Sequence, residues 1–155
     1  MQRAAWTILA VAVIGLGAAA TAAAQPSPQL RYANSVSAAA ARGDVGAQTR
    51  LGYMYERGIG VAQDYELAAM WYNLAAEQGD PRAQHHLGLL FNKGFGVPVD
   101  FMTAYKWLNL AASRVGNADR PYYVRMRDAV ATKLSHKEVA EAQLWATLWQ
   151  PKRLR

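Results

Sequence analysis

Apolar residues recur along this chain three or four positions apart, the spacing of one face of an α-helix. No segment alternates with the period of two that marks a β-strand, so the chain is predicted to be all-α. A first helix begins at Ser27 and Pro28, a capping side chain followed by a proline in the first turn. Gly43 ends this helix. Its apolar face is predicted to hold Leu30, Ala33, Val36 and Ala40.

The pattern from Gly43 to Ala112 consists of two copies, thirty-six residues apart and without a gap. Glycine, apolar and polar positions all match between the copies. A fixed period of this length indicates stacked structural repeats, each of which needs a neighbour to bury its apolar face. Matching pairs are Ala47 and Ala83, Gln48 and Gln84, Leu51 and Leu87, Gly52 and Gly88, Tyr55 and Phe91, Ala68 and Ala104, and Trp71 and Trp107.

Each copy predicts a leading helix and a trailing helix, joined by a turn that contains two glycines. The expected ranges are 44–57 and 64–78 in the first copy, and 80–93 and 100–113 in the second. An aspartate precedes every helix and is predicted to cap it. Gly58 and Gly94 are predicted to end the leading helices in the left-handed conformation. The predicted inward-facing residues of the first copy are Ala47, Leu51, Met54, Tyr55, Leu67, Ala68, Trp71, Leu74 and Ala75.

A glycine lies in the middle of each leading helix, at Gly52 and Gly88. Glycine in a helix interior costs ~1 kcal/mol relative to alanine. Because this glycine recurs with the repeat, we expect a neighbouring helix to approach its backbone closely.

Further helices flank the two copies and are predicted to cap the array, as atypical terminal repeats do in solenoids. Residues 25–42 correspond to the trailing helix of a truncated first repeat. Residues 115–150 predict a degenerate helix pair, in which Ser135 and Glu138 form the capping box of the last helix. That helix is predicted to carry Val139, Gln143, Leu144, Leu148 and Trp149, and to end near Pro151.

The repeated unit resembles the Sel-one-like repeat, an α/α relative of the tetratricopeptide repeat. The resemblance rests on the Ala-Gln and Leu-Gly pairs, the Gly-x-Gly-Val turn, the following Asp, and the Ala and Trp of the trailing helix, all present in both copies. It implies an α/α superhelical solenoid of two repeats that acts as a scaffold or adaptor for other proteins. The family has no general catalytic residues. Some exported relatives are rich in cysteine and bind penicillin-like compounds, but this chain has no cysteine.

The first residues have the pattern of a secretory signal peptide. Arg3 supplies the positive charge, an uncharged apolar run follows from Thr7, and small residues up to Ala24 form a cleavage site. An uncleaved membrane anchor is the alternative, because the apolar stretch is just long enough to span a bilayer. The predicted organisation is a signal peptide at 1–24, an N-terminal cap at 25–42, repeats at 43–78 and 79–114, a helix pair at 115–150 and a basic tail at 151–155. The mature protein is expected to be periplasmic or secreted.

The net charge of +6 is concentrated in the C-terminal third. Residues 31–113 carry seven basic and seven acidic side chains, whereas residues 114–155 carry nine basic and four acidic ones. Such a segment favours an anionic partner, or else it is a solvated helix face with a basic tail. The absence of cysteine excludes disulfides, thiolate metal sites and a catalytic cysteine.

The sequence shows no catalytic constellation, metal site or cofactor motif. The Gly-x-Gly turns follow helices rather than strands and lack the third glycine of a nucleotide-binding loop. His85 and His86 are adjacent, so on a helix their side chains point ~100° apart and do not share a metal ion. No enzymatic activity, cofactor or nucleic-acid partner is predicted.

The outer face of the leading helices is the predicted binding site for a peptide or protein. Tyr53 and Leu89 occupy the same position in the two copies, and we expect them to be neighbours that anchor a partner. The alternative is that both pack on an adjacent helix or are ordinary exposed residues. The predicted partner-binding residues are Thr49, Arg50, Tyr53, Glu56, Arg57, His85, His86, Leu89, Asn92 and Lys93.

The sequence therefore favours a non-catalytic interaction scaffold in the bacterial cell envelope, whose partner is another envelope or secreted protein. A protein that binds the cell wall or an anionic polymer, or a small envelope hydrolase, is the alternative. Two repeats with caps are close to the smallest stable array, so self-association is also plausible.

Overall fold

The computed structural model describes residue 25 and residues 27–152, so the predicted signal peptide and the last three residues of the basic tail lie outside the described residues. Within the described part every regular element is helical, which confirms the predicted all-α class. The helices are α1 (Pro28–Ala41), α2 (Val45–Arg57), α3 (Tyr65–Glu77), α4 (Pro81–Lys93), α5 (Phe101–Arg114), α6 (Arg120–Ala131) and α7 (His136–Leu148).

Side-chain caps and glycines define the helix ends as the sequence predicts. Asp64 and Asp100 each accept a hydrogen bond from a backbone N–H of the first helical turn, at 2.9 Å. Asp44 and Asp80 do the same for the two leading helices, α2 and α4. Gly58 and Gly94 end α2 and α4 with φ of 68° and 72°, which confirms the left-handed termini.

The close approach predicted at the mid-helix glycines is also present. A Cβ on Gly52 would lie 2.7 Å from the ring of Tyr72, and a Cβ on Gly88 would lie 2.7 Å from Leu108 Cγ. Tyr72 and Leu108 are equivalent residues of the trailing helices, and both are fully buried. Each glycine thus lets its trailing helix pack against the leading helix backbone.

Helix α1 occupies the place of a trailing helix that lacks its leading partner. The turn glycine Gly60 lies against the carbonyl of Gln29 in α1, and its equivalent Gly96 lies against the backbone of Tyr65 at the start of α3. Gln29 and Tyr65 are themselves thirty-six residues apart. The truncated-repeat interpretation of residues 25–42 is consistent with this packing.

The C-terminal cap differs from the predicted helix pair, because α7 packs mainly on α5 rather than on α6. Helix α6 also packs on α5, so α5 supports both. Trp107 of α5 meets Trp145 and Trp149 edge to face, with ring centroids 5.5 Å and 6.1 Å apart. The predicted capping box at Ser135 and Glu138 is confirmed.

Some predicted core positions are wrong. Leu74, Leu144 and Leu148 are exposed, whereas Tyr72 is completely buried and was not assigned to the core. The apolar face of α7 is rotated toward Ala142 and Trp145, because that side meets α5. Trp107 is buried, whereas its equivalent Trp71 is only partly buried.

Candidate functional site: the face of the leading helices

The leading helices α2 and α4 bring residues of both repeats together on one face. Two depressions that share His86 lie on it. The Glu56 groove, of about 340 Å³, is lined by Glu56, Arg57, Gln63, Tyr65, His86, Leu89, Leu90, Lys93 and Phe95. The Tyr53 hollow, of about 230 Å³, is lined by Gly46, Thr49, Arg50, Tyr53, Arg82 and His86. His86 lines both depressions, so they meet across the junction of the two repeats.

Three residues hold the centre of this face. The hydroxyl of Tyr72 donates a hydrogen bond of 2.7 Å to Glu56 Oε2, and His86 Nδ1 lies 3.1 Å from the same oxygen. The rings of Tyr72 and His86 are stacked, with centroids 4.8 Å apart and planes inclined by 8°. Glu56 comes from α2, Tyr72 from α3 and His86 from α4, so the network fixes the second repeat against the first.

The electrostatics of this network favour an ionised carboxylate. Burial by itself raises the pKa of Glu56, but the hydrogen bonds from His86 and Tyr72 and the nearby charge of Arg57 outweigh it and lower the pKa. Burial, followed by the bond to the carboxylate, raises the pKa of Tyr72, which therefore remains a donor. Glu56 is thus a negatively charged carboxylate that already has Tyr72 and His86 as partners.

Aromatic and cationic side chains form the rim of the site. The guanidinium of Arg57 lies 5.5 Å from the centroid of Tyr53, and the ammonium of Lys93 lies 5.7 Å from that of Phe95. Tyr53 also meets His86 edge to face at 6.1 Å. Tyr53 and Phe95 are both about 40% exposed, so the rim combines accessible apolar surface with positive charge.

Two of the predicted partner-binding residues are not accessible. Thr49 and His85 are buried, with exposures of 8% and 4%, because neighbouring elements cover that side of the leading helices. The Thr49 hydroxyl donates to Asp80, the cap of α4, at 2.8 Å. His85 packs between Tyr122 and Tyr123 of α6, with ring centroids 5.3 Å and 4.4 Å away. The prediction that these two residues face a partner is therefore wrong.

Burial also sets the protonation state of His85. Among the described residues its Nδ1 has no hydrogen-bond partner, and burial followed by the charge of His86 lowers its pKa to about 4. His85 is therefore a neutral packing residue near pH 7.

The other predicted residues lie on or beside the site. Arg50, Tyr53 and Arg57 are exposed, as is Lys93, while Glu56, His86 and Leu89 are partly buried. Leu89 packs against the buried cluster that includes Ala104 and Leu108, and Asn92 accepts a hydrogen bond of 2.8 Å from Lys133. His86, rather than Leu89, is the ring that Tyr53 meets.

Sequence reasoning on single helices missed six residues that line the site, of which Gly46 and Leu90 lie on the leading helices themselves. Arg82 comes from the first turn of α4, Gln63 and Tyr65 precede or begin α3, and Phe95 lies in the second glycine turn. The position of Phe95 between Gly94 and Gly96 was a usable signal, because such a residue lies at the tip of a tight turn. No equivalent signal marks Gln63 or Arg82.

The chemistry available at the site is that of binding and proton exchange. Within the described residues, no group of three His, Asp or Glu side chains is arranged to hold a metal ion. The Glu56–His86 pair is a potential acid–base couple, but no serine or threonine lines the Glu56 groove with it. None of the described helices is long and apolar enough to cross a membrane.

The Sel1 repeat model matches the chain at residues 45–80 and again at 81–114. The chain carries two Sel1 repeats. The first Sel1 repeat contains α2 and α3, the second contains α4 and α5, and the site lies across their junction. Sel1 repeats generally mediate contacts between proteins.

Solved structures with the same fold support this assignment. One is c5321, a protective antigen present in uropathogenic Escherichia coli strains that displays an SLR fold. It has 32% identity and a TM-score of 0.71 over 77% of this chain and 25% of its own. Another is a Sel1 repeat protein from Oxalobacter formigenes, with 35% identity and a TM-score of 0.57 over 63% of this chain and 28% of its own. The chain thus spans about a quarter of the length of each of these proteins. No curated protein matches the chain.

Proposed function

We propose that this protein is a non-catalytic adaptor that binds a peptide segment of another protein on the face of its leading helices. The observation that supports this function is the meeting of the Glu56 groove and the Tyr53 hollow at His86. A recess that crosses the repeat junction, with exposed aromatic side chains at its rim, suits an extended chain whose large side chains fill it. The general role of Sel1 repeats in protein contacts agrees with this function.

We further propose that the adaptor acts in the bacterial cell envelope after removal of residues 1–24. The support for this location is the signal-peptide pattern of the sequence. Cell fractionation followed by mass determination of the mature chain tests it. A mature N-terminus at Gln25 in the periplasm or medium supports the location, and a full-length cytoplasmic protein contradicts it.

Affinity capture from crosslinked envelopes tests the binding face. The test variant is Tyr53→Ser/Phe95→Ser, because both side chains are exposed and neither belongs to a buried cluster. Leu89 is less suitable, since it packs against the buried cluster around α5. The control variant is Met70→Ser/Leu144→Ser, which removes two exposed apolar side chains outside both depressions.

A partner recovered with the native protein and the control, but lost with the test variant, supports the proposed face. Equal recovery with both variants contradicts it. Circular dichroism on all three proteins establishes that they fold alike.

The Glu56–His86 pair gives the hydrolase alternative its one structural support. A histidine oriented by a carboxylate can activate a water molecule. Incubation of the pure protein with peptidoglycan and β-lactams, with His86→Ala as the control, tests this alternative. Turnover by the native protein that is lost in His86→Ala would support the hydrolase alternative and contradict the adaptor function.

Attachment through the basic C-terminal third has less support. Several of these cations already have partners: Arg114 stacks on Trp149 at 4.5 Å, and Lys152 pairs with Glu77 at 2.7 Å. Arg127 likewise pairs with Asp128 at 2.7 Å. Part of the positive charge of this segment is therefore used in contacts within the protein.

A further inference from the structure

We infer that the segment bound on the leading-helix face is an acidic peptide, one that carries aspartate or glutamate beside apolar anchor residues. This inference rests on the proposed function and specifies the chemistry of its partner. It follows from the charges around the two depressions and from the way each charge is already used.

The two depressions are lined by four permanent cations. Arg57 and Lys93 lie at the Glu56 groove, and Arg50 and Arg82 lie at the Tyr53 hollow. All four residues are exposed, and Arg50 donates one hydrogen bond of 2.7 Å to the hydroxyl of Tyr32. Among the described residues that line these depressions, Glu56 is the only acid. The site therefore has an excess of positive charge, although residues 31–113 as a whole are neutral.

Two of the nearby carboxylates, Glu56 and Asp80, are engaged in holding the fold, whereas Asp119 lines a neighbouring depression together with Arg82. Glu56 receives the Tyr72 hydroxyl at 2.7 Å and faces His86 at 3.1 Å. Asp80 accepts from Thr49 and from the backbone N–H of Arg82, both at 2.8 Å. These acids have their short contacts with other groups, so they neutralise the rim cations only in part.

The contacts of the rim cations with these acids are correspondingly long. Arg57 lies 3.8 Å from Glu56, and Arg82 lies 3.7 Å from Asp80. Both exceed ordinary hydrogen-bond length for a charged pair, and both arginine side chains are more than half exposed. Their N–H donors remain available for the carboxylates of a partner, which arginine binds with two parallel bonds.

Apolar surface between the cations distinguishes a peptide from a simple polyanion. Tyr53 and Phe95 are exposed beside Arg57 and Lys93, and Leu89 lines the groove between them. A polyphosphate or sugar acid would use the cations but leave these side chains uncovered. A peptide with acidic and large apolar residues satisfies both kinds of surface.

Fluorescence anisotropy with defined peptides tests the inference. The probe is a fluorescein-labelled ten-residue peptide in which glutamate alternates with leucine and tryptophan, and the comparison peptide has glutamine in place of glutamate. In low salt, we expect the acidic probe to bind at least tenfold more tightly than the glutamine peptide. We also expect its affinity to fall steeply near 1 M salt, where the screening length is only about 3 Å.

Charge-matched variants locate the binding. Arg57→Gln/Lys93→Gln should weaken the acidic probe roughly tenfold. Arg120→Gln/Lys137→Gln removes two exposed cations from α6 and α7 and should leave its affinity unchanged. Equal binding of the acidic and glutamine peptides, equal effects of the two variants, or no binding at millimolar acidic probe overturns the inference. Inorganic polyphosphate that displaces the probe and binds equally well without needing Tyr53 or Phe95 also overturns it.

These outcomes are separable from failure of the proposed function. An envelope protein captured through Tyr53 and Phe95 whose binding segment is not acidic leaves the adaptor function in place and removes only the acidic-peptide inference.

Discussion

The side-chain amide of Gln84 donates a hydrogen bond of 3.1 Å to the carbonyl of Ala76, near the end of the preceding trailing helix. Gln48 makes the same bond to Ala40 at 3.3 Å, one repeat earlier. The Ala40 and Ala76 carbonyls each accept a backbone N–H from the glycine that follows the helix, and this repeated glutamine supplies a second hydrogen bond at the helix end. It explains why an alanine–glutamine pair recurs in both copies.

The two glutamines differ in their second bond. Gln48 Oε1 accepts from Gln78 at 2.7 Å, whereas Gln84 Oε1 is buried without a partner in the part of the chain that the structure describes. The residue equivalent to Gln78 in the second repeat is Arg114, whose guanidinium stacks on Trp149. Arg114, the residue that could have donated to Gln84, therefore contacts Trp149 of the C-terminal cap instead.

Replacement of these glutamines by leucine should have unequal effects. We expect Gln48→Leu to lower the free energy of unfolding by about 1–3 kcal/mol, because it removes the hydrogen bond from Gln48 to the Ala40 carbonyl and the one from Gln78 to Gln48. Gln84→Leu should cost less, since it also removes an acceptor that lacks a partner. Urea denaturation followed by circular dichroism measures both, and a larger loss for Gln84→Leu would contradict this account.

Alanine at the mid-helix glycines should destabilise the protein although alanine is the better helix former. Gly52→Ala and Gly88→Ala place a Cβ 2.7 Å from Tyr72 and Leu108, and such overpacking costs about 1–3 kcal/mol. Gly46→Ala is the matched control in the first turn of α2, where the nearest atom is 3.5 Å away. Thermal unfolding should show a lower midpoint for the first two variants and an unchanged or higher one for the control.

The two equivalent tryptophans should differ in their contribution to stability. Trp107 is buried under Trp145 and Trp149, so Trp107→Ala should cost about 3–5 kcal/mol. Trp71 is only partly buried, so Trp71→Ala should cost less. Equal losses in urea denaturation would show that α7 adds little to the packing of Trp107.

His85 should make the protein less stable as the pH falls from about 6.5 to about 4. Its pKa is lowered to about 4 in the folded chain, so in this window the unfolded state binds more protons and gains stability relative to the folded state. His85→Phe keeps a ring between Tyr122 and Tyr123 and should reduce the pH dependence. Denaturation midpoints at several pH values, with His136→Phe as an exposed control, measure the difference. An unchanged slope in His85→Phe would assign the pH dependence to other groups.

The inter-repeat bond of Thr49 should contribute to stability rather than to binding. Thr49→Val keeps the shape of the side chain but removes its 2.8 Å hydrogen bond to Asp80. We expect a loss of about 1 kcal/mol in the free energy of unfolding, with peptide binding retained. If Thr49→Val has native stability but no longer binds the partner, Thr49 belongs to the binding face and this prediction is wrong.

The sequence by itself determined the local structure and the repeat. Aspartate caps, left-handed glycines and the Ser135 capping box depend on residues within one helical turn, and all are present as predicted. The exposure of Arg50, Tyr53 and Arg57 also followed from the position of each on its own helix. The fixed period then implied stacking, because each copy needs a neighbour to bury its apolar face.

Only the tertiary structure decided which polar positions become covered. A helical wheel describes one helix, whereas the burial of Thr49 and His85 depends on the element that packs beside it. In the same way Glu56 meets Tyr72 and His86 because three helices from two repeats converge there. The angles between those helices come from side chains far apart in the chain, so their contacts are set by packing rather than by local pattern.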